Sequence, residues 1–211
     1  MSTVDSHDSD PISAGDFGVW LANLRRIMRR GGESDVACGT CTGCCSGSQF
    51  VHIEPDEHVA RAAIPPAWLV PAPGMPPGHQ VIGFDAEGRC PMLGDSGCTI
   101  YPDRPRACRV YDCRVFAAAG VEVDEPEKTA IAHRARRWVF EYSSEADRAQ
   151  HVAMTRRGAE VAHDPQLRDV ASLGRALAVI RSQLGASADG ANPASRSSAR
   201  RRRTTTPRSD E

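Results

Sequence analysis

The feature that most constrains this 211-residue chain is a cluster of four cysteines in the pattern C-x2-C-x2-C-C. The cluster is followed at wider intervals by four more cysteines. A two-residue spacing lets one turn direct successive sulfur atoms at a single point, while its backbone N–H groups offset the thiolate charge. The pattern therefore predicts a metal site. The eight candidate metal ligands are Cys38, Cys41, Cys44, Cys45, Cys90, Cys98, Cys108 and Cys113.

The compartment decides between metal ligation and disulfide bonding. Residues 1–16 contain four aspartates and neither a basic nor an apolar segment, so we expect no secretory signal. No stretch approaches the roughly eighteen apolar residues that a membrane-spanning helix needs. We therefore predict a cytoplasmic protein without a membrane partner. Cysteines stay reduced in that compartment, which favours metal binding over disulfides.

The spacing also bears on which metal is bound. Zinc sites commonly use two separated C-x2-C pairs, whereas three closely spaced thiolates with a distant fourth are typical of ferredoxin loops that hold a cubane cluster. We therefore favour an iron-sulfur cluster of the 4Fe-4S type, with zinc as the alternative cofactor.

Adjacent cysteines indicate more than one centre. Side chains of neighbouring residues diverge, so Cys44 and Cys45 are expected to serve different centres. The simplest division of eight ligands is four and four. Spacing does not identify the distant ligand that completes the Cys38 centre. Our preferred choice is Cys90, because a proline follows it as one follows the last cysteine of the ferredoxin run.

Two further segments carry a resemblance to a known family. Cys90 begins the sequence CPML, and residues 97–111 read GCTIYPDRPRACRVY. With C-x2-C-x2-C-C, these segments resemble the bacterial YkgJ-like cysteine-cluster family, which is described as zinc- or iron-chelating. The resemblance spans residues 38–113 and implies that all eight cysteines are ligands, without implying a settled reaction. Enzymes that methylate flagellin lysines carry a related domain.

Arginines accompany the later cysteines. A cubane with four thiolates carries about two net negative charges when oxidised, so nearby cations stabilise it and tune its potential. We predict that Arg104 and Arg109 act in this way as cofactor-binding residues. The histidines of the same segment have no partner at zinc-finger or HExxH spacing, and we expect no ligand role for them. These are His52, His58 and His79.

The chain divides into four segments by composition and periodicity. Residues 1–33 form an acidic N-terminus and an entry helix, residues 34–116 the cysteine-cluster domain, residues 117–185 a helical region packed on it, and residues 186–211 a disordered basic tail. The predicted fold class is an α-rich, small, irregular, metal-stabilised domain with few short strands, followed by C-terminal helices.

The helical region is predicted to contain three helices. The first has Ile131, Ala135, Trp138 and Tyr142 along one face. The second begins at Ser144, and the third runs from Asp164-Pro165 to Gly185.

Two functional classes follow from these features. The first is a redox or cluster-carrying protein that acts on another protein through one or two iron-sulfur centres. The second is a zinc-stapled module that binds an unidentified protein partner. A protein-modifying enzyme that resembles the flagellin lysine methylases is a weaker alternative, so the sequence does not decide whether the protein is an enzyme.

The net charge of −1 does not indicate a nucleic-acid partner, and we expect the run Arg200 to Arg203 to be solvated.

Overall fold

The computed structural model of the chain describes the backbone of residues 10–189 and the side chains of residues 10–183. It is about 49% helical, with a few short strands and C-terminal helices. The α-rich class expected from the sequence is therefore confirmed. Metal stabilisation, which was part of the same expectation, stays a prediction.

The first strand and helix form one side of the main core. Strand β1 spans Ile12–Asp16 and leads directly into helix α1, Phe17–Arg30. The Asp16 carboxylate caps the helix by accepting the N–H of Val19 at 2.9 Å. Gly31 ends the helix with φ of 74°, a conformation that favours glycine. The entry helix predicted within residues 1–33 is confirmed.

The cysteine segment consists of short elements. The strands are β2 (Val51–Ile53), β3 (Leu69–Pro71), β4 (Gln80–Ile82), β5 (Leu93–Gly94) and β6 (Gly97–Cys98). The helices are α2 (His58–Ala63) and α3 (Arg106–Val110). The antiparallel sheet has the order β2-β4-β3. It supports a small core of Ile53, Ile64, Ile82 and Met92, against which Cys90 and Cys98 pack.

The C-terminal part contains helices α4 (Arg114–Ala119), α5 (Thr129–Arg136), α6 (Glu145–Ala162) and α7 (Ser172–Asp189), with strand β7 (Trp138–Glu141) between α5 and α6. Helices α4, α6 and α7 pack on one another. Gly158 allows the contact between α6 and α4, since a Cβ at that position would lie 1.9 Å from the carbonyl oxygen of Ala119. Together with α1 these helices enclose the main apolar core.

The predicted helix through Tyr142 is wrong in its second half. Helix α5 ends at Arg136, and Trp138 begins strand β7, which pairs in parallel with β1. Trp138 and Phe140 point into the core while Val139 and Glu141 are exposed. The period of two and the aromatic residues suit a strand, and the pairing partner lies more than a hundred residues away in the sequence.

The predicted third helix also differs. A short 3-10 turn occupies Pro165–Leu167, and α7 begins only at Ser172. Helix α7 continues through Gly185 to Asp189, so Gly185 is not its stop. The predicted disordered tail lies outside the described residues from position 190 onward.

Candidate metal centre

All eight cysteines are free thiols in the structure. Cys44 is exposed as a residue, and the other seven are half-buried. They lie in loops or short elements. Cys44 and Cys45 are on the 3-10 turn Gly43–Ser46, Cys108 is on α3, and Cys113 precedes α4. The cluster therefore lies close to the surface, between the small β-sheet and the helical core.

Four of the cysteines surround one cavity. The cavity has a volume of about 30 Å³, and aromatic, aliphatic and cationic side chains complete its wall. Its cysteines are Cys38, Cys41, Cys44 and Cys113. Tyr111, Ile131, Arg134 and Trp138 are among the other lining residues. Three members of this first set come from the C-x2-C-x2-C pattern, and the fourth is the last cysteine of the chain.

Two N–H groups donate to sulfur atoms of the first set. The backbone N–H of Gly43 donates to Cys41 Sγ at 3.4 Å, and the indole N–H of Trp138 donates to Cys113 Sγ at 3.1 Å. Burial raises the pKa of Cys113 to about 11, although the Trp138 bond opposes that increase. A bond that lowers a thiol pKa stabilises the thiolate, so the Trp138 bond favours the form of Cys113 that binds metal.

The remaining four cysteines form a second neighbourhood around Cys45. The N–H of Cys90 donates to the carbonyl oxygen of Cys45 at 2.7 Å. Burial raises the pKa of Cys108 to about 12, with further contributions from Cys45, Cys90 and Cys98. The pKa of Cys98 is raised by burial and also by Cys45. These thiols are close enough to influence one another electrostatically.

The two sets meet at the adjacent cysteines. The sulfur atoms of Cys44 and Cys45 are 3.9 Å apart, and Cys44 faces the first cavity. The contact with Cys45 and burial raise the pKa of Cys44. Cys90, our sequence-based choice to complete the Cys38 centre, does not line that cavity. Cys113 lines it instead, and its sulfur accepts the indole N–H of Trp138. Which cysteine completes the Cys38 centre stays a prediction.

Of the two arginines predicted to bind the cofactor, Arg104 is the one whose charge acts on the thiols. It opposes the rise in the pKa of Cys38, Cys98 and Cys108, and thus affects both sets. Its guanidinium lies 3.9 Å from the centre of the Tyr101 ring. Arg109 instead pairs with Glu33 at 3.3 Å and donates to the carbonyl oxygen of Arg104 at 3.1 Å. These contacts join Arg109 to the Arg104 loop, and a cofactor role for either arginine stays a prediction.

Sequence reasoning missed Arg134. This side chain lines the first cavity, donates to the carbonyl oxygen of Ala37 at 2.7 Å and lies 4.7 Å from the Trp138 ring centre. Its charge opposes the rise in the pKa of Cys38. In the sequence, Arg134 stands four residues before Trp138, a spacing that predicts only that the two side chains share a helix face. It gives no indication that Arg134 lies beside the cysteines.

Arg114, which also flanks the cysteines, has a structural role. It is buried and bonds the buried Asp112, with Nε to Oδ1 at 2.9 Å. Asp112 also accepts the indole N–H of Trp20 at 3.1 Å and the hydroxyl of Ser34 at 2.9 Å. This network links α1 to the segment that carries Cys113. The buried charges of Arg114 and Asp112 neutralise each other.

The histidines are not gathered at the cysteines. His52 and His79 bond each other, with Nε2 and Nδ1 2.9 Å apart. Such a bond requires one neutral ring that accepts from the other. His58 begins α2. The expectation that none of the three is a ligand stays a prediction.

The donor set suits a thiophilic metal, although the thiols do not yet converge on one. Within residues 10–189, no three His, Cys, Asp or Glu side chains are arranged to hold a metal ion as they stand. The soft sulfur ligands, the N–H donors and the nearby arginines are the surroundings that zinc and iron-sulfur centres require. The chemistry of the donor set therefore suits such a group, whereas the sulfur positions in the described residues do not converge on one.

Fold and site together define a cysteine-rich segment of short elements joined to a helical part. Residues 37–135 match the model of the CxxCxxCC family, described as "Putative zinc- or iron-chelating domain". This match agrees with the resemblance indicated by the cysteine pattern. No curated protein and no solved structure matches the chain. Over the described residues, no helix combines the length and apolar character needed to cross a membrane.

Proposed function

We propose that the domain holds two iron-sulfur centres and exchanges electrons or clusters with a partner protein. The first centre uses the thiolates of Cys38, Cys41, Cys44 and Cys113. The second uses the thiolates of Cys45, Cys90, Cys98 and Cys108. The observation that carries the proposal is the division of the eight cysteines at Cys44 and Cys45. Cys44 lines the first cavity, and the backbone carbonyl of Cys45 accepts the N–H of Cys90, a member of the other set, at 2.7 Å.

The surroundings of the sulfurs support this assignment. Four-thiolate centres are negatively charged, and N–H donors and cations nearby stabilise them. Gly43, Trp138, Arg104 and Arg134 supply such groups to the first set, and Arg104 also acts on the second. The position near the surface favours exchange with a partner, because electron transfer and cluster delivery both need a short path to the outside.

One observation favours the zinc alternative. The first cavity, at about 30 Å³, is closer in size to a single ion than to a cubane. A zinc ion bound by four thiolates would staple this loop-rich segment, and the helices after Cys113 would then contact the partner. The enzyme alternative stays a prediction from the resemblance alone.

Metal and sulfide analysis separates the two functions. The full chain is purified anaerobically from cells grown without added zinc, and iron, zinc, acid-labile sulfide and the visible spectrum are measured. We expect a brown protein with about eight iron and about eight sulfide per chain if both centres are cubanes. A colourless protein with about two zinc and no sulfide would overturn the iron-sulfur proposal and support the stapled module.

Variants test the ligand sets. Cys113→Ser should remove one centre and halve the iron content, and Cys90→Ser should do the same through the other set. Ser46→Ala is the matched control, since Ser46 lies on the same 3-10 turn as Cys44 and Cys45. Retention of all the iron in Cys113→Ser would show that this residue is not a ligand.

A further inference from the structure

An open groove with two exposed aromatic rings lies outside the first cavity. It has a volume of about 540 Å³, and its lining residues are Ser48, Gln49, Phe50, Phe84, Glu127 and Lys128. Phe50 precedes β2 and Phe84 follows β4. Val51 pairs with Ile82, which brings the two phenylalanines together. Their ring centroids are 5.2 Å apart, yet the residues stay 67% and 38% exposed, so they form an apolar surface that a binding partner can cover.

One lining residue has an uncommon backbone conformation. Ser48 has φ of 49°, and no other non-glycine residue within 10–189 has a positive φ. Its N–H donates to the carbonyl oxygen of Gly88 at 2.9 Å, and the amide of Gln49 donates to that of Cys44 at 3.3 Å. A strained conformation persists where the surrounding contacts fix it. These contacts therefore fix the shape of the groove, which adjoins the turn that carries Cys44.

The charge at the groove is negative. Glu127 is exposed, and within the described part of the chain its carboxylate has no hydrogen bond or ion pair. Lys128 pairs with Glu125 at 2.9 Å, so its charge is neutralised. The turn of residues 85–89, which Ser48 contacts, holds two carboxylates against one arginine. Aromatic faces beside an unpaired carboxylate suit an arginine, because a guanidinium stacks on rings and bonds carboxylates.

We propose that the groove binds the arginine run of this chain's own C-terminal segment, Arg200 to Arg203. These residues lie outside the described part of the chain, and the sequence alone predicted that they are solvated. They form the longest uninterrupted cationic run of the chain, and the groove offers them a surface of opposite charge. The contact requires no bound metal and is therefore independent of the proposed function.

The length of the chain allows this contact. The groove lies near the start of α7, because Ser172 donates its N–H and its hydroxyl to Glu125, two residues before Glu127, at 2.9 and 2.6 Å. Helix α7 has 18 residues and leads the chain about 27 Å away, at about 1.5 Å per residue. Residues 190–200 can span up to about 36 Å, at about 3.3 Å each. The run can therefore return to the groove, where the covalent link gives it an effective concentration of about a millimolar.

The test is limited trypsin digestion of the anaerobically purified full chain at low salt, with cleavage after residues 200–203 followed by mass spectrometry. Trypsin binds the arginine side chain in its own specificity pocket, so an arginine held in the groove is cleaved slowly. Glu127→Gln removes the ion pair and Phe50→Ala removes an aromatic face, and each should raise the cleavage rate about threefold. Salt at about 0.5 M should raise the wild-type rate similarly and the Glu127→Gln rate less, because it screens exposed charges.

The matched control is Glu122→Gln, since Glu122 is an exposed carboxylate that does not line the groove. Its cleavage rate should equal that of the wild type. Equal rates in the wild type, Glu127→Gln and Phe50→Ala would overturn the proposal and leave the groove to a cationic segment of another protein. A wild-type rate that falls as the protein concentration rises would also overturn it, because the arginines of a second copy would then occupy the groove.

Discussion

The contact between α6 and α4 makes a sharp prediction for Gly158→Ala. In most exposed helix interiors this change is favourable by up to about 1 kcal/mol, because glycine is the more flexible residue. Here Gly158 is buried, and the new Cβ would lie 1.9 Å from the carbonyl oxygen of Ala119 and 3.1 Å from that of Gly120. Both neighbours are backbone atoms at the end of α4, so no side-chain rotation relieves the overlap.

The helices must therefore separate by more than 1 Å at this point to restore an ordinary contact. Overpacking of a closely packed core costs about 1–3 kcal/mol, and a backbone clash belongs at the upper end of that range. We expect a net loss of about 3 kcal/mol in the free energy of unfolding after the propensity gain. For a chain of this size that corresponds to a fall of roughly 6–12 °C in Tm.

The assay is thermal and urea unfolding followed by circular dichroism, with both proteins in the same metal-loaded state. Gly174→Ala in α7 is the matched control, because its Cβ would approach a single side-chain atom, Cγ1 of Val170 at 2.8 Å, and not a backbone carbonyl. That variant should be within about 1 kcal/mol of the wild type. Equal stability of Gly158→Ala and Gly174→Ala would refute the packing argument.

Three further predictions concern the site and its supports. Trp138→Phe removes the indole hydrogen bond to the Cys113 sulfur. Because bonds to charged groups contribute about 1.5–3 kcal/mol, the rate of metal loss to a chelator should rise about tenfold or more. The control Trp68→Phe, at an exposed position, should change that rate little. Glu125 has a pKa of about 2, lower than the usual 4.5 because bonds from Ser172 and Lys128 outweigh its burial. Its contribution to stability is therefore present above about pH 4.5 and lost as pH falls toward 2, and the urea midpoint of Glu125→Gln should depend less on pH over that window. Arg104→Gln should speed metal loss to the chelator more than Arg109→Gln, because the Arg104 charge acts on the cysteines whereas Arg109 pairs with Glu33, and equal rates would contradict the separate roles of the two arginines.

The cysteine pattern and the first helix were readable from the sequence because their signals are local. Two-residue spacing of cysteines and a helical repeat of apolar residues both act within one or two turns of chain. The family match at residues 37–135 agrees with the cysteine pattern, and helix α1 lies within the predicted entry segment. These features depend on neighbours a few residues away, which a linear sequence displays directly.

The tertiary structure decided which distant groups meet. Trp138 fits a helical face by spacing, but pairing of β7 with β1 makes it a strand residue and directs its indole N–H to Cys113. The same long-range packing brings Cys113, and not Cys90, to the first cavity, and places Arg134 beside it. Spacing along the chain carries no information on these encounters, because loop closure over tens of residues costs nearly the same free energy for many alternative partners. The burial of apolar residues against particular neighbours selects among them, and that selection exists only in the folded chain.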